Sequence, residues 1–136
     1  MGLAERRAAK QFEDEVFPGL VKDIQAAAGF AVPVEVVWEG LMADGYDHMY
    51  GEAWPKVYFT PLIAALKKIT IDEMGKGALK DGLKKILIQN TKGNYSGSSV
   101  AAFEGGVLTL DHEPMSNIDD IADRTKGIQK VLEAKL

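Results

Sequence analysis

The first 28 residues carry an apolar position at every fourth residue, a spacing typical of a helix with one buried face. This stripe consists of Phe12, Val16, Leu20 and Ile24. Gly29 follows it and suits the left-handed turn that ends many helices. Pro18 interrupts the stripe because it lacks an N–H and its ring clashes with the preceding turn. We therefore predict a helix over residues 4–28 that is kinked, or divided in two, near Pro18.

The next segment alternates in the manner of a strand. Val32 to Glu39 places Val34, Val36 and Trp38 on one face, with Pro33 near its beginning. Residues 43–54 have aromatic side chains at steps of four and predict a short helix. The Trp54-Pro55 pair disfavours helical geometry at Trp54. Thr60-Pro61 then predicts an N-cap and first helical residue, opening a helix through Ile69.

The C-terminal half predicts two more helices and three strands. Thr70 and Glu73 match a capping box for a helix that ends near Gly82. The apolar run within residues 84–90 is typical of a central strand buried on both faces. Residues 98–103 and 107–112, separated by a turn containing two glycines, form the clearest hairpin. Ser116 is expected to cap a final helix that extends to about Ala134.

Without the short helix over residues 43–54, these elements follow the order α-β-α-α-β-β-β-α along one domain spanning residues 1–136. Three C-terminal strands in a meander, joined by one earlier strand, predict an α+β fold. The expected sheet has four strands, mixed or antiparallel, and the helices pack on it. No internal repeat and no long linker divides the chain.

The composition narrows the classes of function. The chain has 136 residues, no cysteine and a formal net charge of −4. Disulfides, thiolate metal sites and cysteine nucleophiles are therefore excluded. Charges follow the N-terminus without an apolar run, which argues against a signal peptide and favours the cytoplasm. Nonspecific binding to nucleic acid or to an anionic membrane needs a basic face, and we expect neither partner.

The charges are segregated along the sequence. No Lys or Arg occurs from Asp23 to Pro55, whereas residues 56–92 contain eight lysines against three acids. A separation of this kind can orient the encounter with a charged partner. It also arises when two ordinary solvated faces happen to separate in sequence.

Few residues have the spacing of a chemical site. His48, Glu52 and His112 supply two imidazoles and a carboxylate, but no zinc-binding helix motif is present. Acid pairs such as Glu35 with Glu39, or Asp111 with Glu113, are more typical of an exposed strand face than of acid–base catalysis. We therefore predict no catalytic residue, no metal and no cofactor, and we lean against an enzyme.

The loop over residues 91–97 is rich in Gly, Asn and Ser and allows two interpretations. Its backbone amides can cradle an anion, as successive N–H groups do in many phosphate sites. It can equally be a mobile connection between two strands.

The most distinctive segment is acidic and aromatic. It holds six of the eleven aromatic residues, and Tyr46, Tyr50, Trp54 and Tyr58 recur at steps of four. Such a stripe usually belongs to the core, but aromatic anchors surrounded by acids also suit a basic partner or a cationic ligand. The candidate binding residues are Trp38, Asp44, Tyr46, Asp47, His48, Tyr50, Glu52, Trp54 and Tyr58.

The leading hypothesis is a small acidic interaction module, of the inhibitor or immunity type, that binds a basic protein through this segment. The first alternative is a ligand-binding protein or enzyme with a pocket between the aromatic segment and the sheet. The second is a structural or oligomer-forming domain. In that case the outer strand of the hairpin or the last helix would supply a homodimer face.

Overall fold

The computed structural model describes residues 2–136. Its helices are α1 (Leu3–Glu15), α2 (Phe17–Ala28), α3 (Trp38–Leu41), α4 (Tyr50–Trp54), α5 (Thr60–Ile69), α6 (Glu73–Gly82) and α7 (Ile121–Lys135). Its strands are β1 (Val34–Val36), β2 (Lys85–Gln89), β3 (Ala101–Glu104) and β4 (Val107–Asp111). A 3-10 turn over Asp47–Met49 precedes α4, and a π-helical segment over Pro55–Phe59 joins α4 to α5.

The four strands form one mixed sheet in the order β1-β2-β4-β3, so the predicted α+β class is confirmed. β2 is parallel to both β1 and β4, and β3 is antiparallel to β4, as the predicted hairpin requires. The strands do not form a sequential meander, because β4 rather than β3 pairs with β2. The long connection after β2 carries the chain to the outer edge of the sheet, which a tight antiparallel turn cannot do.

The apolar pattern of β2 and β4 fixes one face of the sheet in the core. Ile86 and Ile88 are fully buried and lie in register with Leu108 and Leu110, which are also fully buried. Leu87 on the opposite face is only half-buried. β2 is therefore central in the sheet but buried on one face, not on both. On the helical side, α5 is the central helix and packs against α2 and α7.

The N-terminal helix divides near the predicted position. α1 ends at Glu15 and α2 begins at Phe17, which places Pro18 in the first turn of α2, where its missing N–H is tolerated. Gly29 ends α2 in the left-handed conformation with a φ of 86°, as expected. The following strand is shorter than predicted, because Trp38 opens α3 instead of extending β1. Gly40 in α3 lies so close to Asn90 that an added Cβ would be 2.9 Å from the Asn90 carbonyl oxygen.

Three predicted caps are wrong, and the Thr70 and Ser116 hydroxyls bond to other groups. The N-cap of α6 is Asp72, which accepts a hydrogen bond from the Gly75 N–H at 2.8 Å, whereas the Thr70 hydroxyl donates to Ala27 and Leu66 carbonyls. Thr60 has helical dihedral angles and continues the preceding π-helical segment. The Ser116 hydroxyl donates to the Glu113 carboxylate, and α7 begins later, at Ile121.

The helix break predicted at Trp54-Pro55 does not occur. Trp54 is helical, with φ −62° and ψ −43°, and the chain continues into a wider π turn. The Thr60 N–H bonds to the Pro55 carbonyl, five residues back. Pro61 then has no N–H to donate. The wider turn thus accommodates two prolines in one continuous helical path from Tyr50 to Ile69. As a consequence, the Lys56 carbonyl oxygen receives no hydrogen bond from a backbone N–H of the helix.

Candidate functional site

The side chains of the acidic aromatic segment divide into a buried set, called the dry half, and a set in contact with solvent, called the wet half. The wet half includes Asp44, Tyr46, His48 and Glu52. Tyr50, Trp54 and Tyr58 are at most 2% exposed and belong to the core. Trp38 is half-buried, and Tyr46 is 48% exposed. Tyr46 is thus the exposed aromatic among the proposed anchors. Trp54 and Tyr58 cannot contact a partner at the surface of the folded protein.

The buried half is the centre of an aromatic cluster that joins four helices, α1 to α4. Trp54 stacks on Tyr50 with ring centroids 4.2 Å apart and meets Phe12 of α1 edge-to-face at 5.1 Å. Trp38 lies 5.6 Å from Trp54 and contacts Phe17 of α2 edge-to-face at 5.2 Å. Offset and edge-to-face pairs of this kind add to the free energy from burial. The four-residue period therefore belongs to helix packing.

The polar ends of two of these aromatics hold the acidic loop. The Tyr50 hydroxyl accepts a hydrogen bond from Ala43 N–H at 2.9 Å and donates to the Ala43 carbonyl oxygen at 3.2 Å. The Trp54 indole N–H donates to the Leu41 carbonyl at 3.2 Å. Burial raises the pKa of the Tyr50 hydroxyl, so Tyr50 stays protonated as a donor at neutral pH. The aromatic stripe thus supports the loop that carries Asp44 and Asp47.

The third aromatic, Tyr58, belongs to a buried polar cluster with His112 and Arg124. The Tyr58 hydroxyl donates to the His112 carbonyl oxygen at 2.5 Å, and burial strongly raises its pKa. His112 and Arg124 are both fully buried. Burial lowers the pKa of His112, and the nearby positive charge of Arg124 lowers it further, against opposing contributions from Glu113 and Asp111. The imidazole is therefore neutral in the folded protein at neutral pH.

Arg124 satisfies the carbonyl that the π-helical segment leaves unpaired. Its guanidinium donates to the Lys56 carbonyl oxygen at 3.3 Å, and to Asn117 and Ile118 carbonyls at 2.7 and 2.6 Å. No donor within the backbone ladder remains for Lys56, because Pro61 has no N–H. Arg124 thus links α7, the loop before it and the π-helical segment. Sequence analysis missed this residue, since nothing in the pattern of α7 distinguishes it from a surface arginine.

The acidic side chains of the wet half, and His48 among them, differ in their exposure and in their charged neighbours. Asp44, His48 and Glu52 are exposed, and Asp47 is half-buried. Glu52 pairs with Lys56 at 3.3 Å, and Lys56 also pairs with Asp119 at 2.9 Å. The hydrogen bonds that the Lys56 ammonium donates to Asp119 and Glu52 raise its pKa. Within residues 2–136, neither Asp44 nor Asp47 has a basic group within 4 Å.

Asp47 lies at the edge of a concave surface between α1 and the start of α4. This acidic groove has a volume of about 240 Å³ and is lined by Ala8, Gln11, Phe12, Glu15, Val16, Asp47, Tyr50 and Gly51. Glu15 and Asp47 supply two carboxylates, and Phe12, Val16 and Tyr50 supply apolar atoms. Val16 is 40% exposed, although its spacing places it in the apolar stripe of the N-terminal helices. Asp47 and Tyr50 belong to the candidate binding residues from the sequence, whereas the lining residues of α1 do not.

The remaining candidate residues have structural partners. Glu35 pairs with Lys85 on the neighbouring strand at 2.5 Å. The buried Asp111 carboxylate accepts hydrogen bonds from Thr91 N–H at 2.9 Å, from its hydroxyl at 2.6 Å and from Lys92 N–H at 3.3 Å. Burial opposes ionisation of Asp111, but these bonds and one from Gln89 outweigh it and lower its pKa. The amides at the start of the 91–97 loop thus bind an anion from the chain itself.

Two features are absent from the described residues. Within residues 2–136, no group of three His, Cys, Asp or Glu side chains is arranged to hold a metal ion. None of the helices in that range combines the length and apolar character needed to cross a bilayer. In comparisons with known proteins, no family model, no curated protein and no solved structure matches this chain.

Proposed function

We propose that this protein is an acidic interaction module that binds a basic protein partner through the acidic groove. The observation that carries the proposal is the combination of two carboxylates, Glu15 and Asp47, with an apolar floor in one concave surface. The proposed contact residues therefore lie on α1 as well as in the 44–52 region. An inhibitor or immunity-type role is the form of this function that the charge pattern favours.

The chemistry of the groove suits an arginine or lysine side chain. Such side chains have an apolar stem that packs on hydrophobic surface and a charged head that needs a carboxylate or water. Val16, which is 40% exposed, offers the apolar surface for the stem, whereas Phe12 and Tyr50, at most 3% exposed, form the closed floor of the groove. Glu15 and Asp47 offer oxygens for the head, and an arginine guanidinium can bind a carboxylate through two parallel hydrogen bonds.

The wider surface supports a basic partner rather than a free cation alone. Asp44 and Glu39 are exposed near the same segment, and no Lys or Arg occurs from Asp23 to Pro55. A segment that carries acids and no basic residue can accelerate the encounter with an oppositely charged protein, and such an effect depends on salt. His48 and Tyr46 are exposed beside these acids and supply polar contacts at the rim.

The test uses a defined probe. A peptide, acetyl-Leu-Arg-Leu-Arg-Leu-amide, is titrated into the ¹⁵N-labelled protein, and a second peptide with Gln in place of Arg serves as the reference. We expect saturable shifts of the amide signals of Phe12, Val16 and Gly51 with the arginine peptide. Its affinity should fall at least threefold between 50 and 500 mM NaCl, because the interaction is between charges.

Matched variants locate the site. Glu15→Gln with Asp47→Asn should weaken binding of the arginine peptide at least threefold. Asp23→Asn with Asp81→Asn removes the same charge at exposed positions outside the groove and should have little effect. Equal losses in the two double variants, or shifts spread over the whole surface, would refute the groove as the site.

A second candidate function, binding of a small anionic molecule, is favoured by a groove on α7. This groove has a volume of about 500 Å³ and lies between Ser96–Ser98 and the α7 residues from Asp123 to Ala134. Lys126 and Lys130 line it, one turn apart, and have no acid within 4 Å among residues 2–136. The Ser96 hydroxyl lies 2.9 Å from that of Ser98 and offers donors across the groove.

This candidate differs from the predicted pocket between the aromatic segment and the sheet, where Trp54 and Tyr58 are fully buried and packed. Phenyl phosphate is the probe, observed through the amide signals of Gly97 and Gly127. Lys126→Gln with Lys130→Gln should abolish the shifts, whereas Lys67→Gln with Lys80→Gln should not. Shifts that persist without Lys126 and Lys130 would dismiss the site.

A further inference from the structure

Among residues 2–136, the two most exposed large apolar side chains lie at the corner between α5 and α6. Ile71 is 82% exposed and Met74 is 85% exposed. Isolated exposed apolar residues are ordinary, but adjacent ones beside a concave apolar surface mark an interaction site. Neither residue takes part in the acidic groove or in the α7 groove.

The local geometry keeps these side chains outside the core. A Cβ added at Gly75 would lie 1.7 Å from the Ile69 carbonyl oxygen, so the first turn of α6 is pressed against the end of α5. Asp72 caps that turn through the Gly75 N–H. With its backbone fixed in this way, the corner projects Ile71 and Met74 into solvent.

A concave surface of about 310 Å³ adjoins the projecting side chains. Together they form the Ile71/Met74 patch, which is lined by Lys68, Ile69, Ile71, Asp72, Met74, Gly75, Ala78, Glu133 and Leu136. The patch thus contains both a projecting apolar element and an apolar recess. A contact across a two-fold axis uses the same patch on both copies, and a projecting element beside a recess allows such a patch to fit itself.

The charges around the patch favour a second copy of the chain over an anionic lipid or nucleic acid. The patch is lined by one basic residue, Lys68, and two acidic residues, Asp72 and Glu133. Nearby, Glu73 pairs with Lys76 at 3.2 Å. Anionic lipid or nucleic acid needs a predominance of positive charge, which this rim lacks. Mixed charges of nearly equal number allow two identical surfaces to approach, with Lys68 of one copy free to meet an acid of the other.

We propose that the Ile71/Met74 patch is a homodimer interface in which each copy inserts Ile71 and Met74 beside the recess of the other. The test is sedimentation velocity from 1 to 500 µM. We expect a dimer whose fraction rises with concentration. Ile71→Ser with Met74→Ser should raise the dimer dissociation constant at least tenfold, and the high exposure of both side chains means that this variant should still fold.

Controls separate this interface from the rest of the surface. Leu3→Ser with Tyr95→Ser removes two other exposed apolar side chains and should leave the dimer unchanged. Glu15→Gln with Asp47→Asn should also dimerise normally, so failure of the groove proposal leaves this result untouched. The natural chain has no cysteine, so Met74→Cys provides a single thiol that should form a disulfide-linked dimer on mild oxidation, whereas Tyr95→Cys should not.

Three outcomes would overturn the proposal. The wild-type protein could sediment as a monomer throughout the concentration range. The serine variant could dimerise as well as the wild type. A monomeric protein that binds vesicles of phosphatidylcholine and phosphatidylserine through Ile71 and Met74 would assign the patch to a lipid surface instead.

Discussion

The two halves of the acidic aromatic segment are similar in composition but differ in burial. In the first half, Asp44 and Tyr46 are exposed on an irregular loop. In the second half, Tyr50, Trp54 and Tyr58 turn their rings into the core along one continuous helical path. The difference comes from secondary structure, because Tyr46 shares the four-residue spacing but lies before the helical path, which begins at Tyr50 and is covered by α1 and α7. The dry half supports the wet half, and only the wet half and its α1 neighbour can meet a partner.

The largest difference between the halves should appear on truncating one aromatic of each. Trp54→Ala removes a fully buried indole and should lower the free energy of unfolding by about 3–5 kcal/mol. Tyr46→Ala, at a 48% exposed position, should change it by less than about 0.5 kcal/mol. Urea unfolding followed by circular dichroism measures both. Similar losses in the two variants would contradict the division into dry and wet halves.

An Arg124 variant tests whether the stability of the dry half depends on the buried polar cluster of Tyr58, His112 and Arg124. Arg124→Met leaves the Lys56, Asn117 and Ile118 carbonyls without this donor, and we expect a loss of about 2–4 kcal/mol in unfolding free energy. Removal of a buried charge partly offsets that loss. Lys126→Met, at an exposed position of the same helix, is the control. A stable Arg124→Met protein would mean that the cost of burying the charge equals the benefit of its hydrogen bonds.

The same cluster should make stability sensitive to acid. His112 has a lowered pKa when folded, so the unfolded chain binds a proton more readily. The stabilisation is complete above the unfolded value near 6.5 and is lost as pH falls from there through the folded pKa. The loss cannot exceed about 1.4 kcal/mol per pH unit for one proton. Urea midpoints between pH 8 and 5 measure it. His112→Gln should flatten the curve, and an unchanged curve would exclude His112 as the cause.

The smallest effect concerns the contact between the halves. Tyr50→Phe removes the hydroxyl that bonds to the Ala43 N–H and carbonyl, and should cost about 1 kcal/mol. It should also speed amide hydrogen exchange at Ala43, because the acidic loop loses its anchor. Tyr46→Phe is the matched control and should change neither quantity. Unchanged exchange at Ala43 in Tyr50→Phe would show that the loop is held by other contacts.

The sequence predicted well where a single local pattern was sufficient. The α+β class, the break near Pro18, the left-handed Gly29 and the β3–β4 hairpin follow from spacing, proline chemistry and turn residues. The prediction was wrong where the chain had two local solutions. Thr70 and Asp72 both suit a helix cap, and the close approach of Gly75 to Ile69 selects Asp72. At Pro55 and Pro61, local rules predict a break, but a π turn and the distant Arg124 make the helix continuous.

The candidate site shows the same limit. Sequence alone determined the amounts and spacing of acids and aromatics, because side-chain type and period are properties of the chain. It also left core and binding surface as alternatives for the aromatic stripe. Only the tertiary structure decided that the rings face inward and that Glu15 joins Asp47 across a groove. Burial and the meeting of residues distant in sequence depend on how whole elements pack, and no local pattern encodes that packing.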